Sequence, residues 1–469
     1  MRFEIILISL LVIILLGLIA GGIFIWQYDK VYSPSQPAKK ESNQSFLREE
    51  KEETVEETAE QETTTDSVVS EVEEKVQTII EQSQELIAEA QEFLAEEKEK
   101  TALREAAKEK SKQIKGVYMN EFIANSQSAA ALNTRQNIEN LLQETELNAV
   151  VIDVKEAYGP SLPNSLRILV DELHEQDAWA IARICAFRDV SLIEKNPELY
   201  LKTIIHSTSS QATSTAEIAT STETFWQDAG KGYWLDPASQ AVQDYLIEFS
   251  KQVIDFGFDE LQFDYIRFPS DGDVENIIYP FYNEEQVKHE VIRQFFLQAA
   301  DALRDYKPDI ILSVDLFGYV ATQYQSLDIG QRINDAAEAF DYLSFMLYPS
   351  HFYGGFSVSE DLKRGLPAVY FPYEDETTTS TDHLVSANPY QVVLRSVFVA
   401  VDYLTLFESQ VHIRPWLQDF NLGFDMSRGI YYDAEKIKAQ IQAAEDAGTS
   451  GWLLWNPSNI YTAEALESP

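Results

Sequence analysis

From Lys115 onward one pattern recurs: a short apolar run with polar residues at alternate positions, then a stretch with helical spacing. The strand candidates are KGVYMNEF, AVVIDVKEAYG, WAIARICAFRD, DELQFDYIRF, DIILSVDLFGY, DYLSFMLYPS, HIRPWLQDF and GWLLWNP. Helical spacing is clearest over Ala238–Phe256, Glu284–Tyr306, Tyr390–Glu408 and Asp433–Ala447. Strands joined through helices must run parallel. Eight such strands predict an α/β fold, a (β/α)8 TIM barrel spanning residues 114–469. A doubly wound open sheet would carry a glycine-rich phosphate turn after its first strand, and VYMNEFIANS has none. Two polar insertions interrupt the pattern: a Ser/Thr-rich loop at 206–224 and a similar one at 374–388. After the last strand no eighth helix follows, and the helical segment before Lys115 is the candidate to cover that gap.

The alternation also says what faces the barrel interior. In DELQFDYIRF, Leu261, Phe263 and Tyr265 share one face while Glu260, Gln262 and Asp264 share the other. The apolar face must meet the helices, so the polar face looks inward. Asp153 and Lys155 alternate in the same way against Ile152 and Val154, and Ser313 and Asp315 against Leu312 and Val314; Arg183 projects from an otherwise apolar third strand. A carboxylate buried without a partner costs several kcal/mol. Either these residues form a purely structural ion-pair network, or they are gathered at the strand ends for chemistry.

Glycoside hydrolysis makes the most direct use of such a set. It needs two carboxyl groups flanking one bond, with aromatic surfaces and polar groups around the sugar. Other chemistries lack support: there is no P-loop, no G-x-S-x-G and no H-E-x-x-H, and the histidines are scattered. The acidic DGDVE loop at Asp271 reads as a solvated turn, so no cofactor or metal is expected. Cys185, the lone cysteine, reads as a small core residue. A net charge of −41, from 77 acidic and 36 basic residues, argues against a nucleic-acid partner.

Taken in order, KGVYMN, VVIDVKEAYG, ARICAFRD, WLDPASQAVQDY, GFDELQFDYIRFPSDG, SVDLFGY, YLSFMLYPSH, IRPWLQDF and GWLLWNPSNIYT resemble the motifs of the bacterial "putative glycosyl hydrolase domain" family, from about Lys115 to Thr462. The resemblance implies a TIM barrel distantly related to the α-amylase clan, acting as a glycoside hydrolase on a carbohydrate substrate. It implies a nucleophilic Asp264 at the end of the fourth strand, an acid/base at Asp315 on the fifth, and a further aspartate, Asp419, on the seventh. That clan carries Glu on the fifth strand. The shorter Asp315 makes Glu156, after the second strand, a second candidate for proton donor. The sixth strand offers only Tyr348 and His351. Asp153, Lys155, Arg183, Arg267, Tyr348, His351, Trp416, Gln418 and Asn456 are the candidate substrate-binding residues. Arg267 either fixes a carboxylate or sugar hydroxyl, or clamps the loop before Pro269. A barrel with this cleft but no competent proton donor would be a carbohydrate-binding module instead.

Ahead of the barrel, Ile5–Trp26 is apolar and long enough to cross a bilayer core of ~30 Å, so residues 1–28 read as an uncleaved signal-anchor. That implies a single-pass protein of the cell membrane, and the acidity of the remaining chain favours an extracytoplasmic barrel. Residues 29–67 read as a disordered acidic linker and 68–113 as a helical stalk. Val69, Val72, Val76, Ile79, Leu86, Ala90 and Phe93 fall on a heptad seam broken at Ser83. The seam suits a solvated stalk or a weak coiled-coil homodimer.

Overall fold

The computed structural model describes residues 56–209, 218–283, 285–325 and 327–468. The chain divides into two compact units after Glu99. One long helix, α1 (Glu56–Ser111), contains that boundary. Helical structure therefore begins inside the stretch read from sequence as linker. In the first unit Val76, Ile79, Leu86 and Phe93 are exposed. The Ile5–Trp26 run lies outside the described residues, and no described helix is long and apolar enough to cross a membrane.

The second unit is a closed barrel. Its strands are β1 (Ile114–Met119), β2 (Ala149–Glu156), β3 (Trp179–Cys185), β4 (Glu260–Asp264), β5 (Ile311–Phe317), β6 (Tyr342–Met346), β7 (Trp416–Gln418) and β8 (Gly451–Trp455). Each pairs in parallel with its neighbours in sequence, and β1 pairs with both β2 and β8, which closes the sheet. At the closing seam an added Cβ on Gly451 (φ +84°) would lie 1.9 Å from the Ile114 carbonyl oxygen, so only glycine fits. The connections carry α2 (Ala129–Glu144), α3 (Asn164–Glu175), α4 (Gln240–Ile254), α5 (Lys288–Tyr306), the short α6 (Ile333–Ala337), α7 (Pro389–Leu406) and α8 (Ala434–Asp446). Local signals set their starts: Ser128 and Asp433 accept backbone N–H groups of Ala131 and Lys436, and α7 opens on Pro389.

Strand parity sorts the core into two. Ile152, Val154, Leu261, Phe263, Leu312 and Val314 pack outward against the helices. Ile114, Tyr118, Val151, Ile181, Trp416 and Leu453 cluster inside the barrel. Two expectations need correction. The described residues of the 206–224 insertion are strands of an antiparallel pair, Lys202–Ser209 against Ile218–Phe225, where a loop was expected, and residues 210–217 lie outside the described residues; the β-branched content of the two strands favours that form. The end of α1 does not stand in for an eighth helix. From Lys100 it joins the barrel floor, where Arg104 pairs with Asp341 (2.6 Å) and the Ser111 hydroxyl meets that of Tyr342 (2.7 Å). After β8 the chain itself buries Ala465 and Leu466.

Candidate active site

The carboxyl ends of β2 to β5 bring four acids around one guanidinium. Arg183 Nη1 donates to Asp153 Oδ1 and Glu156 Oε1, both at 2.6 Å. Its Nε lies 3.1 Å from Asp264 Oδ2 and 3.7 Å from Asp315 Oδ2, and Nη2 also reaches Asp264. One nitrogen near both Asp264 and Asp315 keeps those two oxygens within about 7 Å of each other, within the reach of a glycosidase pair. Tyr118 donates to the other oxygen of Asp153, and Trp416 Nε1 to Asp315 Oδ1 at 2.8 Å. Tyr118 was not singled out from sequence. The parity of KGVYM, with Val117 and Met119 packed outward, was the available signal.

Protonation is uneven across this set. Burial first, then the negative charge of Asp264, holds the Asp315 carboxyl well above the ordinary carboxylate range, against the pull of Arg183 and Trp416. Burial pushes Asp153 up to about 8 although Arg183 opposes it. Burial alone would also raise Glu156, but its charge-assisted contacts with Arg183 hold it low. The chain leaves β4 directly after Asp264: Tyr265 takes φ +50°, unusual for an aromatic residue, and its N–H donates to Asp264 Oδ1 at 2.6 Å. Backbone in this region costs ~1–3 kcal/mol and concentrates at functional sites.

The opposite half of the mouth, from β6 round to β1, is aromatic. Tyr348 stacks on Trp455 (5.4 Å between centroids, 25°), and Phe420 packs edge-on against both. Beside them a cavity of about 220 Å³ is lined by Phe317, Tyr319, Met346, Tyr348, His351 and Tyr353. Burial lowers the His351 pKa, favouring its neutral form.

Other expected site residues sit elsewhere. Asp419 is outside the acid group: its carboxylate accepts from Thr462 N (2.9 Å) and Oγ1 (2.8 Å), and burial pushes it up to about 6. Trp416 and Gln418 take the inward parity of β7, so the next position turns outward. Lys155 is fully buried, donating to Cys185 O (2.6 Å) and pairing with Asp189 (2.8 Å), so its ammonium is not offered to a sugar. A register shift between Asp153 and Lys155 redirects it. Gln418 joins Ser350 Oγ (2.8 Å) and the Phe420 carbonyl (2.9 Å), and Asn456 holds the carbonyls of Asp419 and Ile460. Both tie loops together. Arg267 is buried, its guanidinium 4.4 Å from the Phe317 ring centroid and 5.0 Å from that of Trp234, with Nη1 donating to the Phe268 carbonyl (3.0 Å). That placement holds the loop before Pro269 through ring and carbonyl contacts and not through the salt bridge expected for a clamp, since Arg267 has no ion pair among the described residues. The four acids converge on Arg183, and no group of three or more metal-ligand side chains occurs among the described residues.

A closed parallel barrel with acids gathered at the carboxyl ends of its strands is a TIM barrel built as enzyme sites on that fold are, and paired carboxylates there are the set that glycoside hydrolysis uses. The chain belongs to the family described as "Putative glycosyl hydrolase domain", whose model matches residues 161–461. Solved structures that it resembles include a hypothetical protein from Ruminiclostridium thermocellum (28% identity, 42% of this chain and 96% of that one, TM-score 0.31). Others are the α-galactosidase of Thermus thermophilus in complex with stachyose (15%, 75% and 63%, TM-score 0.40) and the glycoside hydrolase domain of PelA from Pseudomonas aeruginosa (11%, 74% and 96%, TM-score 0.36). The chain spans less than two thirds of that α-galactosidase. No curated protein matches it.

Proposed function

We propose that the barrel hydrolyses a glycosidic bond in a cell-envelope or extracellular polysaccharide, with Asp264 as the anionic carboxylate and Asp315 as the proton donor. The observation that carries this reading is the pair around Arg183. Asp264 accepts from the guanidinium and from the Tyr265 N–H, while burial and the neighbouring Asp264 hold the Asp315 carboxyl well above the ordinary carboxylate range. Asp315 gives its proton to the glycosidic oxygen as the bond from that oxygen to the anomeric carbon breaks and Asp264 attacks or stabilises that carbon; water then bonds the anomeric carbon through its oxygen, freeing Asp264, and passes its proton to Asp315. Glu156, held low by Arg183, is the less suited donor. Asp153 and Tyr118 position Arg183. The anchor at Ile5–Trp26 and an extracytoplasmic barrel belong to the same proposal, supported by the length of that apolar run and the acidity of the chain after it.

The test is a screen of the full chain for reducing-end release from soluble starch, galactan, chitosan and alginate, beside Asp264→Asn. Loss of about 10⁴-fold in kcat with an unchanged unfolding midpoint is expected. Undiminished turnover by Asp264→Asn removes that residue from the mechanism. Polymer binding without cleavage by the native chain identifies the barrel as a carbohydrate-binding module.

A further inference from the structure

The aromatic half of the mouth continues past the cavity. From Tyr348 the ring contacts run outward to His351 (5.4 Å), Tyr353 (5.7 Å, stacked at 23°), Tyr373 (5.3 Å) and Phe424 (5.3 Å, stacked at 19°). Tyr348 is buried (6% exposed), whereas Tyr353 (60%) and Phe424 (41%) farther along the row are exposed and Tyr373 between them is half-buried. The rings come from separate segments: the turn after β6, the segment following the strand Val369–Phe371, and the turn after β7. A single exposed aromatic residue needs no explanation, but a contiguous row leading out of an aromatic-lined cavity does. The outer end is also fixed in place. Arg428 lies over the Phe424 ring (4.1 Å to the centroid) and donates to the Tyr373 carbonyl at 2.7 Å. A platform held before ligand arrives loses less entropy on binding.

We propose that Tyr353, Tyr373 and Phe424 form outer subsites that hold further sugar units of the same polysaccharide, so that the barrel recognises a polymer rather than a lone sugar. This rests on the glycosidase reading above. Each step along the row is comparable with the length of one pyranose unit, and pyranoses offer apolar C–H faces to aromatic rings. The inner end of the row, Tyr348, lines the cavity and lies within electrostatic reach of Asp315 and Asp264, so a chain with one unit at the acids would leave the barrel over these rings.

The experiment is affinity electrophoresis of Asp264→Asn protein, full chain, in gels containing each of the four panel polysaccharides. Adding Tyr373→Ala or Phe424→Ala to that protein should weaken retardation by the bound polymer about tenfold, and both together by more. Tyr373→Phe, which keeps the ring, should bind as the parent does. Thermal unfolding of each variant separates loss of binding from loss of fold; for a variant that does not fold, Phe424→Leu removes the ring and keeps the packing. Equal retardation of parent and alanine variants, or no retardation by any panel polymer, overturns the proposal. Binding is read without turnover, so weakened retardation in a chain whose native form cleaves nothing upholds the outer subsites while removing the glycosidase reading.

Discussion

At the floor of the barrel Arg414 and Glu260 face each other, both fully buried, with Nη1 at 2.8 and 2.9 Å from the two carboxylate oxygens. Trp179 also donates to Glu260 (3.2 Å), Ser111 O accepts from Arg414 Nη2 (2.9 Å), and the Tyr342 ring covers the guanidinium at 3.8 Å. At the mouth, on the far ends of the same strands, one guanidinium serves four carboxylates. The Arg414–Glu260 pair is balanced one to one and closed by hydrogen bonds, which is how a buried pair is made tolerable, and Asp341 at the same end is met by Arg104, Lys108 and Arg304. The mouth is short of positive charge, so some of its acids must hold protons. Charge balance, more than burial, separates scaffold from chemistry in this barrel.

The largest effect is expected at Arg183. Arg183→Met leaves four acids without their shared cation and should destabilise the protein by about 3–5 kcal/mol. Turnover should fall at least about 10³-fold as Asp264 and Asp315 lose the guanidinium that holds them in place. Urea unfolding at pH 5 and pH 8 checks the stability part: acid pH should recover much of it, because protonation replaces the lost cation. A pH-independent loss would mean that Arg183 acts through packing alone.

The floor should respond differently. Glu260→Leu alone strands a buried guanidinium and should cost about 3–5 kcal/mol, whereas Glu260→Leu with Arg414→Met should return to within about 1 kcal/mol of the native protein. The corresponding double change at the mouth, Arg183→Met with Asp264→Leu, should not recover, since three acids remain. If both doubles recover equally, the contrast between the two ends fails.

Next comes the pH dependence of stability, read through Asp153. Its carboxyl, pushed up to about 8 by burial, holds a proton that the unfolded chain releases near pH 4. The stabilisation this gives is complete below about pH 4 and is lost as pH rises through about 8, at ~1.4 kcal/mol per pH unit between. Asp153→Asn carries no such proton, so its stability should fall less steeply between pH 5 and pH 8. Parallel curves for the two proteins would mean that Arg183 outweighs burial and Asp153 is ionised throughout.

The two ends also differ in how far they could be read from sequence. All eight strands lie where alternation placed them, because their two buried faces meet different surroundings, the helices on one side and the barrel interior on the other. The same rule put Asp153, Asp264 and Asp315 inside, and it would have found Tyr118. It would equally have turned Asp419 outward, next to the inward Gln418; the analogy with the α-amylase clan overrode it. Lys155 was misjudged because a register shift changes direction without any mark in composition. The hub role of Arg183 was hidden because nothing in a linear pattern counts how many acids converge on one guanidinium. The floor's link to α1 was hidden because Ser111 is an unremarkable helix-end serine until Tyr342 and Arg414 are seen around it.

That serine gives the smallest effect and the sharpest control. Ser111→Ala removes the hydroxyl contact with Tyr342 but leaves the Ser111 carbonyl free to accept from Arg414. A loss of about 1 kcal/mol in stability follows from one buried hydrogen bond. Because the change lies at the opposite end of the strands, kcat and its pH profile on a cleaved polysaccharide should match those of the native protein. Stability and chemistry then separate along the barrel axis. A shift in the pH profile with Ser111→Ala would show instead that floor and mouth are electrostatically one system, in which case the proton on Asp315 could not be ascribed to its own surroundings at the mouth.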